Sequence, residues 1–165
     1  MKPYYELPVQ SIIVPQLLEL IQNNDKWIEY FSFPAMPISY EILFQDTFFK
    51  RLFERHRFVP GILKMEPFKC YDWHVDANRG VGINQLLTPD TRSFCVFAPQ
   101  RGKLNFPIEE LRYKPSTYYL FNTQVEHTVY NFDETRYLLS IEFEKDKNAL
   151  SFSDLINDLE SSPII

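Results

Sequence analysis

The sequence predicts a mainly β protein with helices at both ends, and three observations predict it. From Phe58 onward, short apolar or alternating runs recur, each bounded by Pro, Asn, Asp or Gly, which is typical of β-sandwiches and barrels. The residues before Phe58 instead repeat apolar positions at near-helical spacing. The length of 165 residues corresponds to about one domain. We therefore expect a single domain over 1–165, with a helical part at about 1–57, a β core at about 58–145 and a helical tail at about 150–160.

Two helices are predicted before the β core, after an irregular or extended lead-in over residues 1–13. Pro15 suits the first turn of a helix, which the run Asn23-Asn24-Asp25 is able to interrupt. Its apolar stripe comprises Leu17, Leu18, Leu20, Ile21, Trp27, Ile28 and Phe31. The stretch "SFPAMPIS" contains two prolines and is predicted to be a loop. In "DTFFKRLFERHRF", Phe48, Phe49, Leu52 and Phe53 form a second stripe, with Asp46 as a possible N-cap.

Strands are predicted in six runs after Phe58. The runs are "GILKMEPFKCYDWHV", "VGINQLL", "RSFCVFA", "STYYLFN", "EHTVYN" and "RYLLSIEFE". The last segment, "LSFSDLINDLESS", is predicted to be a short helix capped by Ser151 or Ser153.

Charge and composition exclude several classes of function. The net charge is −5 and no long basic run occurs, so nucleic acid is not an expected partner. No apolar run is long enough for a membrane span, and the N-terminus lacks the apolar core of a secretory signal. Cys70 and Cys95 are the only cysteines. We expect both to be reduced, in a cytoplasmic or other reducing intracellular compartment.

The stretch "YDWHVD" raises the possibility of a metal site. Residues two apart on a strand point to the same face, so His74 and Asp76 would project together while Trp73 faces the other way. An imidazole nitrogen and a carboxylate oxygen on one face are able to bind one divalent metal. Two polar residues at a strand end explain the pair equally well at this point. His56, among charges on a predicted helix, is expected at the surface or at the helix end.

A third histidine strengthens the metal interpretation. His127 lies in another predicted strand, and two neighbouring ligands plus one distant ligand are typical of the two-His, one-carboxylate facial triad of non-haem Fe(II) oxygenases. Arg136 opens the apolar run "RYLLSIEF" and shares a face with Leu138 and Ser140. A buried arginine needs an anionic partner, either Glu142, another side-chain carboxylate, or the carboxylate of a ligand. An exposed strand end is the alternative for Arg136.

These residues together resemble a known family. "HVD" followed by "EHTVYNFDETRYLLSIEF" resembles the H-x-D…H…R signature of the Fe(II)/2-oxoglutarate-dependent oxygenases. "HTVYN", with an arginine that starts an apolar strand, is most similar to the aspartyl/asparaginyl β-hydroxylase-like branch. The matched part runs from about residue 60 to 143. The resemblance implies a double-stranded β-helix, which is a jelly-roll or cupin-like fold, with N-terminal helices packed on one sheet.

The resemblance also implies roles for individual residues. His74, Asp76 and His127 would bind Fe(II), and Arg136 would hold the distal carboxylate of the co-substrate 2-oxoglutarate. O₂ would be consumed as 2-oxoglutarate is converted to succinate and CO₂. The branch has a second arginine on the strand after the first histidine, where this sequence has "GINQLL", so Asn84 is the expected second co-substrate contact if it faces His74. A strand-edge amide is the alternative for Asn84.

The implied activity is hydroxylation of an unactivated C–H bond. Asp76 is retained, although some β-hydroxylases lack this ligand, and a retained carboxylate favours hydroxylation over halogenation. Tyr71 and Arg79 flank the triad and are expected to contact the substrate; a core tyrosine and a solvated loop arginine are the alternatives. The substrate would be a small molecule or a peptide or protein side chain. The alternative function is a catalytically inactive, cupin-like module that binds a metal or a ligand.

Overall fold

Two antiparallel β-sheets lie face to face in a computed structural model that describes residues 2–162. Met1 and residues 163–165, which the single-domain prediction includes, lie outside the described residues. The strands are β1 (Tyr4–Gln10), β2 (Ile28–Tyr30), β3 (Phe33–Pro37), β4 (Phe58–Met65), β5 (Lys69–His74), β6 (Gly82–Leu86), β7 (Ser93–Phe97), β8 (Glu109–Leu111), β9 (Thr117–Phe121), β10 (His127–Asn131) and β11 (Arg136–Phe143). The seven-stranded sheet has the order β1-β9-β6-β11-β4-β3-β2, and the four-stranded sheet has the order β5-β10-β7-β8.

Four helices accompany the sheets: α1 (Val14–Asn23), α2 (Tyr40–Leu43), α3 (Thr47–Arg55) and α4 (Phe152–Ser161). Asp46, the predicted N-cap, accepts a hydrogen bond from the backbone N–H of Phe48 and begins α3. Ser151 begins α4, where it forms a capping box with Asp154. Within residues 2–162, no helix has the length and apolar character needed to cross a membrane.

The part before residue 58 is less helical than predicted. The lead-in contains β1, and "SFPAMPIS" contains β3 rather than a loop. Trp27, Ile28 and Phe31, assigned to a helical stripe, lie beyond the end of α1, in or beside β2. The two prolines of β3 are tolerated because this short strand adjoins the three-residue edge strand β2, so few ladder hydrogen bonds require their nitrogens.

The main core lies between the helices and the seven-stranded sheet. Leu17 of α1, Phe49 and Leu52 of α3, and Ile83 and Leu139 of the sheet are fully buried in one cluster. A smaller cluster lies between the sheets and contains Cys95, Phe97, Leu111, Tyr119 and Phe121. Beside it, β4, β6 and β11 of the larger sheet and β5, β7 and β10 of the smaller sheet line a cavity. The candidate site residues meet in this cavity.

Candidate metal centre and adjoining cavity

His74, Asp76 and His127 form one cluster at the end of the four-stranded sheet. His74 ends β5 and His127 begins β10, and the two histidines are direct register partners. Asp76 lies in the loop after β5 rather than on the strand itself, and its Oδ1 is 3.7 Å from Nε2 of His74. One potential ligand atom from each residue lies within 4.8 Å of the others. Two imidazoles and one carboxylate at these distances fit a divalent metal such as Fe(II).

Both histidines are oriented by main-chain carbonyls. Nδ1 of His74 lies 2.7 Å from the carbonyl oxygen of Asp72, and Nδ1 of His127 lies 2.8 Å from that of Val125. When each Nδ1–H donates to its carbonyl, the Nε2 lone pair remains available to a metal. Burial, together with the nearby His74, lowers the pKa of His127 to about 4. His127 is therefore neutral near pH 7, which is the form that binds metals.

Asp76 is held by a network that joins its loop to the turn before His127. Its Oδ2 forms an ion pair with Nη2 of Arg79 at 2.7 Å, while Oδ1 faces His74. Its backbone N–H donates to the carbonyl of Thr123 at 3.0 Å. The amide of Gln124 donates to the carbonyls of Asp76 and Arg79, at 2.8 Å and 2.7 Å. Thr123 and Gln124, which the sequence reasoning missed, therefore fix the position of Asp76 relative to His127.

Arg136 lies in the same cavity and is buried, with 5% of its surface exposed. Its Nε donates to the Ser93 hydroxyl at 3.1 Å, and its guanidinium carbon lies 5.8 Å from the centre of the Tyr113 ring. Among residues 2–162, no carboxylate forms an ion pair with Arg136. Glu142, considered as a partner, instead accepts a hydrogen bond from the Tyr30 hydroxyl.

Tyr113 adds a polar group beside Arg136 that the sequence reasoning missed. Its hydroxyl is buried near Arg136 and Cys95 without a hydrogen bond of good geometry to either. Burial raises the pKa of the Tyr113 hydroxyl, and it raises that of the Cys95 thiol to about 12, so both groups stay protonated. A buried cation and a buried hydroxyl, neither with a full set of protein partners, form a suitable site for a carboxylate.

The remaining predicted residues line this cavity as well. Asn84 on β6 lies opposite Ser140 of β11. Tyr71 packs edge-on against His74, with the ring centres 4.1 Å apart. Arg79 lines the cavity while paired with Asp76. The structure therefore brings all seven sequence-predicted site residues into one cavity: His74, Asp76, His127, Arg136, Asn84, Arg79 and Tyr71.

Asn131, the last residue of "HTVYN", shapes the chain before Arg136. It is buried, and its amide nitrogen donates to the carbonyls of Met65, Glu66 and Glu134 at 3.1, 3.0 and 2.8 Å. These bonds attach the turn between β10 and β11 to the end of β4. Because Met65 is the register partner of Arg136, Asn131 helps determine where β11 begins.

Two other sequence features lie outside the metal cluster. His56 caps the C-terminal end of α3, where it is buried and its Nε2 lies within hydrogen-bond distance, 3.1 Å, of Oδ2 of Asp158 in α4. Trp73 points away from the cavity and lies near Arg101 and Phe106. Cys70 is exposed and Cys95 is buried, and neither is in a disulfide.

The fold is similar to solved structures of iron- and 2-oxoglutarate-dependent oxygenases. A prolyl-4-hydroxylase from Pseudomonas putida has a TM-score of 0.66 at 14% sequence identity, covering 87% of this chain and 92% of that chain. A 2OG-Fe(II) oxygenase family oxidoreductase from Burkholderia pseudomallei has a TM-score of 0.63 at 12% identity, covering 90% and 86%. HygX from Streptomyces hygroscopicus, solved with nickel and 2-oxoglutarate, has a TM-score of 0.61 at 12% identity, covering 87% and 83%.

No protein-family model matches the sequence, and no curated protein matches it. The likeness therefore lies in the fold. The chain has the double-stranded β-helix fold of these solved oxygenase structures, and its His-Asp-His cluster fits a divalent metal such as Fe(II).

Proposed function

We propose that the protein is an Fe(II)- and 2-oxoglutarate-dependent dioxygenase that hydroxylates an unactivated C–H bond. The main observation behind this proposal is that the His74–Asp76–His127 cluster shares one cavity with the buried Arg136, which forms no ion pair with a carboxylate among residues 2–162. A structural metal site has no need of an arginine in the same cavity, whereas a bound keto acid needs both a metal and a cation. In the overall reaction, O₂, 2-oxoglutarate and a C–H group are converted to succinate, CO₂ and a C–OH group.

The residues of the chain divide between metal and co-substrate. His74, Asp76 and His127 would hold Fe(II), with both imidazoles oriented through Nδ1. Arg136 would bind the distal carboxylate of 2-oxoglutarate, and the Tyr113 hydroxyl would donate to the same carboxylate. When bound, the metal and its co-substrate supply the oxidising chemistry, and the protein supplies orientation and a site shielded from water.

Asn84 is the proposed second co-substrate contact, since it lines the cavity from β6, beside the strand that carries Arg136. The assignment to the aspartyl/asparaginyl β-hydroxylase-like branch rests on "HTVYN" and Arg136. Asn131 donates hydrogen bonds to three carbonyls, so the fold itself needs an asparagine at this position of the motif. Its presence therefore says nothing about the substrate. We therefore propose the oxygenase activity without a preference for this branch.

The substrate is proposed to be a small molecule or a side chain of a peptide or protein. The unpaired thiols of Cys70 and Cys95 support a reducing intracellular compartment. If the protein bound the metal and 2-oxoglutarate but formed no succinate, it would be the inactive cupin-like binding module instead.

Binding of 2-oxoglutarate to variants of Arg136 tests the proposal. Calorimetry on the Ni(II)-loaded protein should show that Arg136→Leu weakens 2-oxoglutarate binding by about 1.5–3 kcal/mol, because a charge-assisted hydrogen-bond pair is lost. Arg136→Lys, which keeps the charge but not the planar fork, should lose less. Arg92→Leu is the matched control, because Arg92 lies on the Phe132 ring outside the cavity. Equal affinity in wild type and Arg136→Leu would remove Arg136 from the co-substrate site.

A further inference from the structure

The turn between β2 and β3 carries a phenylalanine at the cavity. Phe31 and Ser32 form a two-residue turn, in which Phe31 has φ = 53°. Two-residue hairpin turns require positive φ, and glycine or asparagine adopts it at lower cost than a bulky residue. The Phe31 side chain is also 76% exposed, yet it lines the same cavity as His74 and Asp76. Neither turn geometry nor core packing accounts for an aromatic residue at this position.

An aromatic wall, formed by Phe31, Phe33 and Tyr71, lines the cavity up to the metal cluster. The ring centre of Phe31 lies 4.8 Å from that of Tyr30. On β3, the Phe33 ring packs edge-on against Tyr71 at 4.4 Å, and Tyr71 packs against His74 at 4.1 Å. Aromatic faces at these positions offer an apolar surface to whatever group lies beside the metal cluster.

The charged side chains beside this wall already have partners. Arg79 pairs with Asp76 at 2.7 Å, and Lys64 pairs with Glu66 at 2.5 Å. Apart from the metal cluster, the third charged residue of the lining is Arg136, which we assign to 2-oxoglutarate. A substrate carboxylate would therefore have to break an existing ion pair or remain unpaired, and both are costly in a partly buried site.

A cationic substrate group is disfavoured as well. Aromatic rings attract cations, but the wall lies in the same cavity as the site of the divalent metal, and the Asp76 carboxylate of the lining is already paired with Arg79. Repulsion from the metal, with no unpaired carboxylate among the described lining residues to offset it, opposes the modest attraction of a ring for a cation. A neutral group makes the same ring contacts without that repulsion.

We propose that the group presented for oxidation is a neutral, apolar side chain or ring held by Phe31, Phe33 and Tyr71. This inference rests on the proposed function for the reaction, but the apolar preference of the wall itself requires no metal. It separates apolar substrates from the acidic and amide side chains suggested by the sequence resemblance.

Ligand-observed NMR with N-acetyl methylamides of Pro, Leu, Phe, Asp, Asn and Lys tests the inference. The protein is used both metal-free and loaded with Zn(II) and 2-oxoglutarate. We expect the three apolar probes to bind at least about 10-fold more tightly than the Asp and Lys probes, because the latter bring an unpaired charge. An acidic, amide or cationic probe that binds as well as the apolar ones would overturn the inference, and so would the absence of binding by all six probes.

The variant Phe31→Gly separates substrate binding from folding. It removes the ring and relieves the positive φ, so we expect equal or higher thermal stability together with about 2- to 10-fold weaker binding of the apolar probes. Phe68→Gly is the matched control, because Phe68 is 81% exposed with φ = 57° and lies outside the cavity lining. It should leave probe binding unchanged. Equal probe affinities of the two variants would contradict the role of Phe31.

Measurements on the metal-free and the metal-loaded protein also distinguish this inference from the proposed function. Apolar probes that bind the metal-free protein, together with a wild type that binds no metal, would reject the oxygenase and retain the apolar site. If the protein binds the metal and 2-oxoglutarate but shows no preference for apolar probes, the apolar site would be rejected and the oxygenase retained.

Discussion

The seven-stranded and four-stranded sheets differ in burial and in the residues that they carry. All five residues of β9 and six of the eight residues of β11 are buried, whereas β5 has no buried residue. The helices pack on the larger sheet, and most of the core belongs to it. The smaller sheet and its loops carry His74, Asp76 and His127. The difference implies that the larger sheet provides most of the stability, while the metal site depends on local polar contacts at the end of the smaller sheet.

Truncation of one side chain in each sheet, buried in the larger sheet and exposed in the smaller, gives the largest expected contrast. Leu139→Ala on β11, at a fully buried position, should lower the free energy of unfolding by about 2–5 kcal/mol, because it leaves a cavity in the core. Cys70→Ala on β5, at an exposed position, should change it by less than about 0.5 kcal/mol. Urea unfolding followed by circular dichroism measures both. Similar losses in the two variants would show that the sheets contribute equally.

A smaller effect is expected at the contacts that hold Asp76. Arg79→Met removes the ion pair on Oδ2, so that the carboxylate loses its fixed orientation. Loss of a partner that orients a metal ligand typically weakens metal binding, and we expect about a 10-fold loss of Co(II) affinity, measured by optical titration. The opposing effect, relief of repulsion between the guanidinium and the metal, would instead tighten binding.

Arg101→Met is the matched control for this titration. It removes the Arg101–Glu126 ion pair, which lies near the site but contacts no member of the metal cluster. Its Co(II) affinity should equal that of the wild type. Tighter Co(II) binding in Arg79→Met than in Arg101→Met would mean that Arg79 competes with the metal instead of orienting its ligand.

Five strands of the β core were predictable from the sequence. β6, β7, β9, β10 and β11 each lie within one residue of the ends of a predicted run, because alternating or continuous apolar residues mark a strand that is buried on one or both faces. β2, β3 and β8 were not predicted. β2 and β8 have three residues each, which is too short for a recognisable alternating pattern, and the two prolines of β3 are typical of a loop.

The candidate site was predictable where residue chemistry is distinctive. His74, Asp76, His127 and Arg136 stand out because histidines are few and because a charge that opens an apolar strand is unusual. Thr123, Gln124 and Tyr113 have ordinary residue types, and they act through contacts that join different loops or strands. Arg79 was predicted to contact the substrate, but only the folded loop brings its guanidinium onto Asp76. Contacts of this kind can be identified only in the three-dimensional structure.

The visible spectrum of the anaerobic protein with Fe(II) and 2-oxoglutarate tests the central claim most directly. A keto acid that chelates iron at an open-faced triad should give a weak charge-transfer band at about 500 nm. His74→Ala should abolish this band, and His56→Ala, which removes a histidine outside the cavity, should retain it. The account predicts the band in wild type and in His56→Ala alone. No band in wild type, or the same band in wild type and His74→Ala, would contradict it.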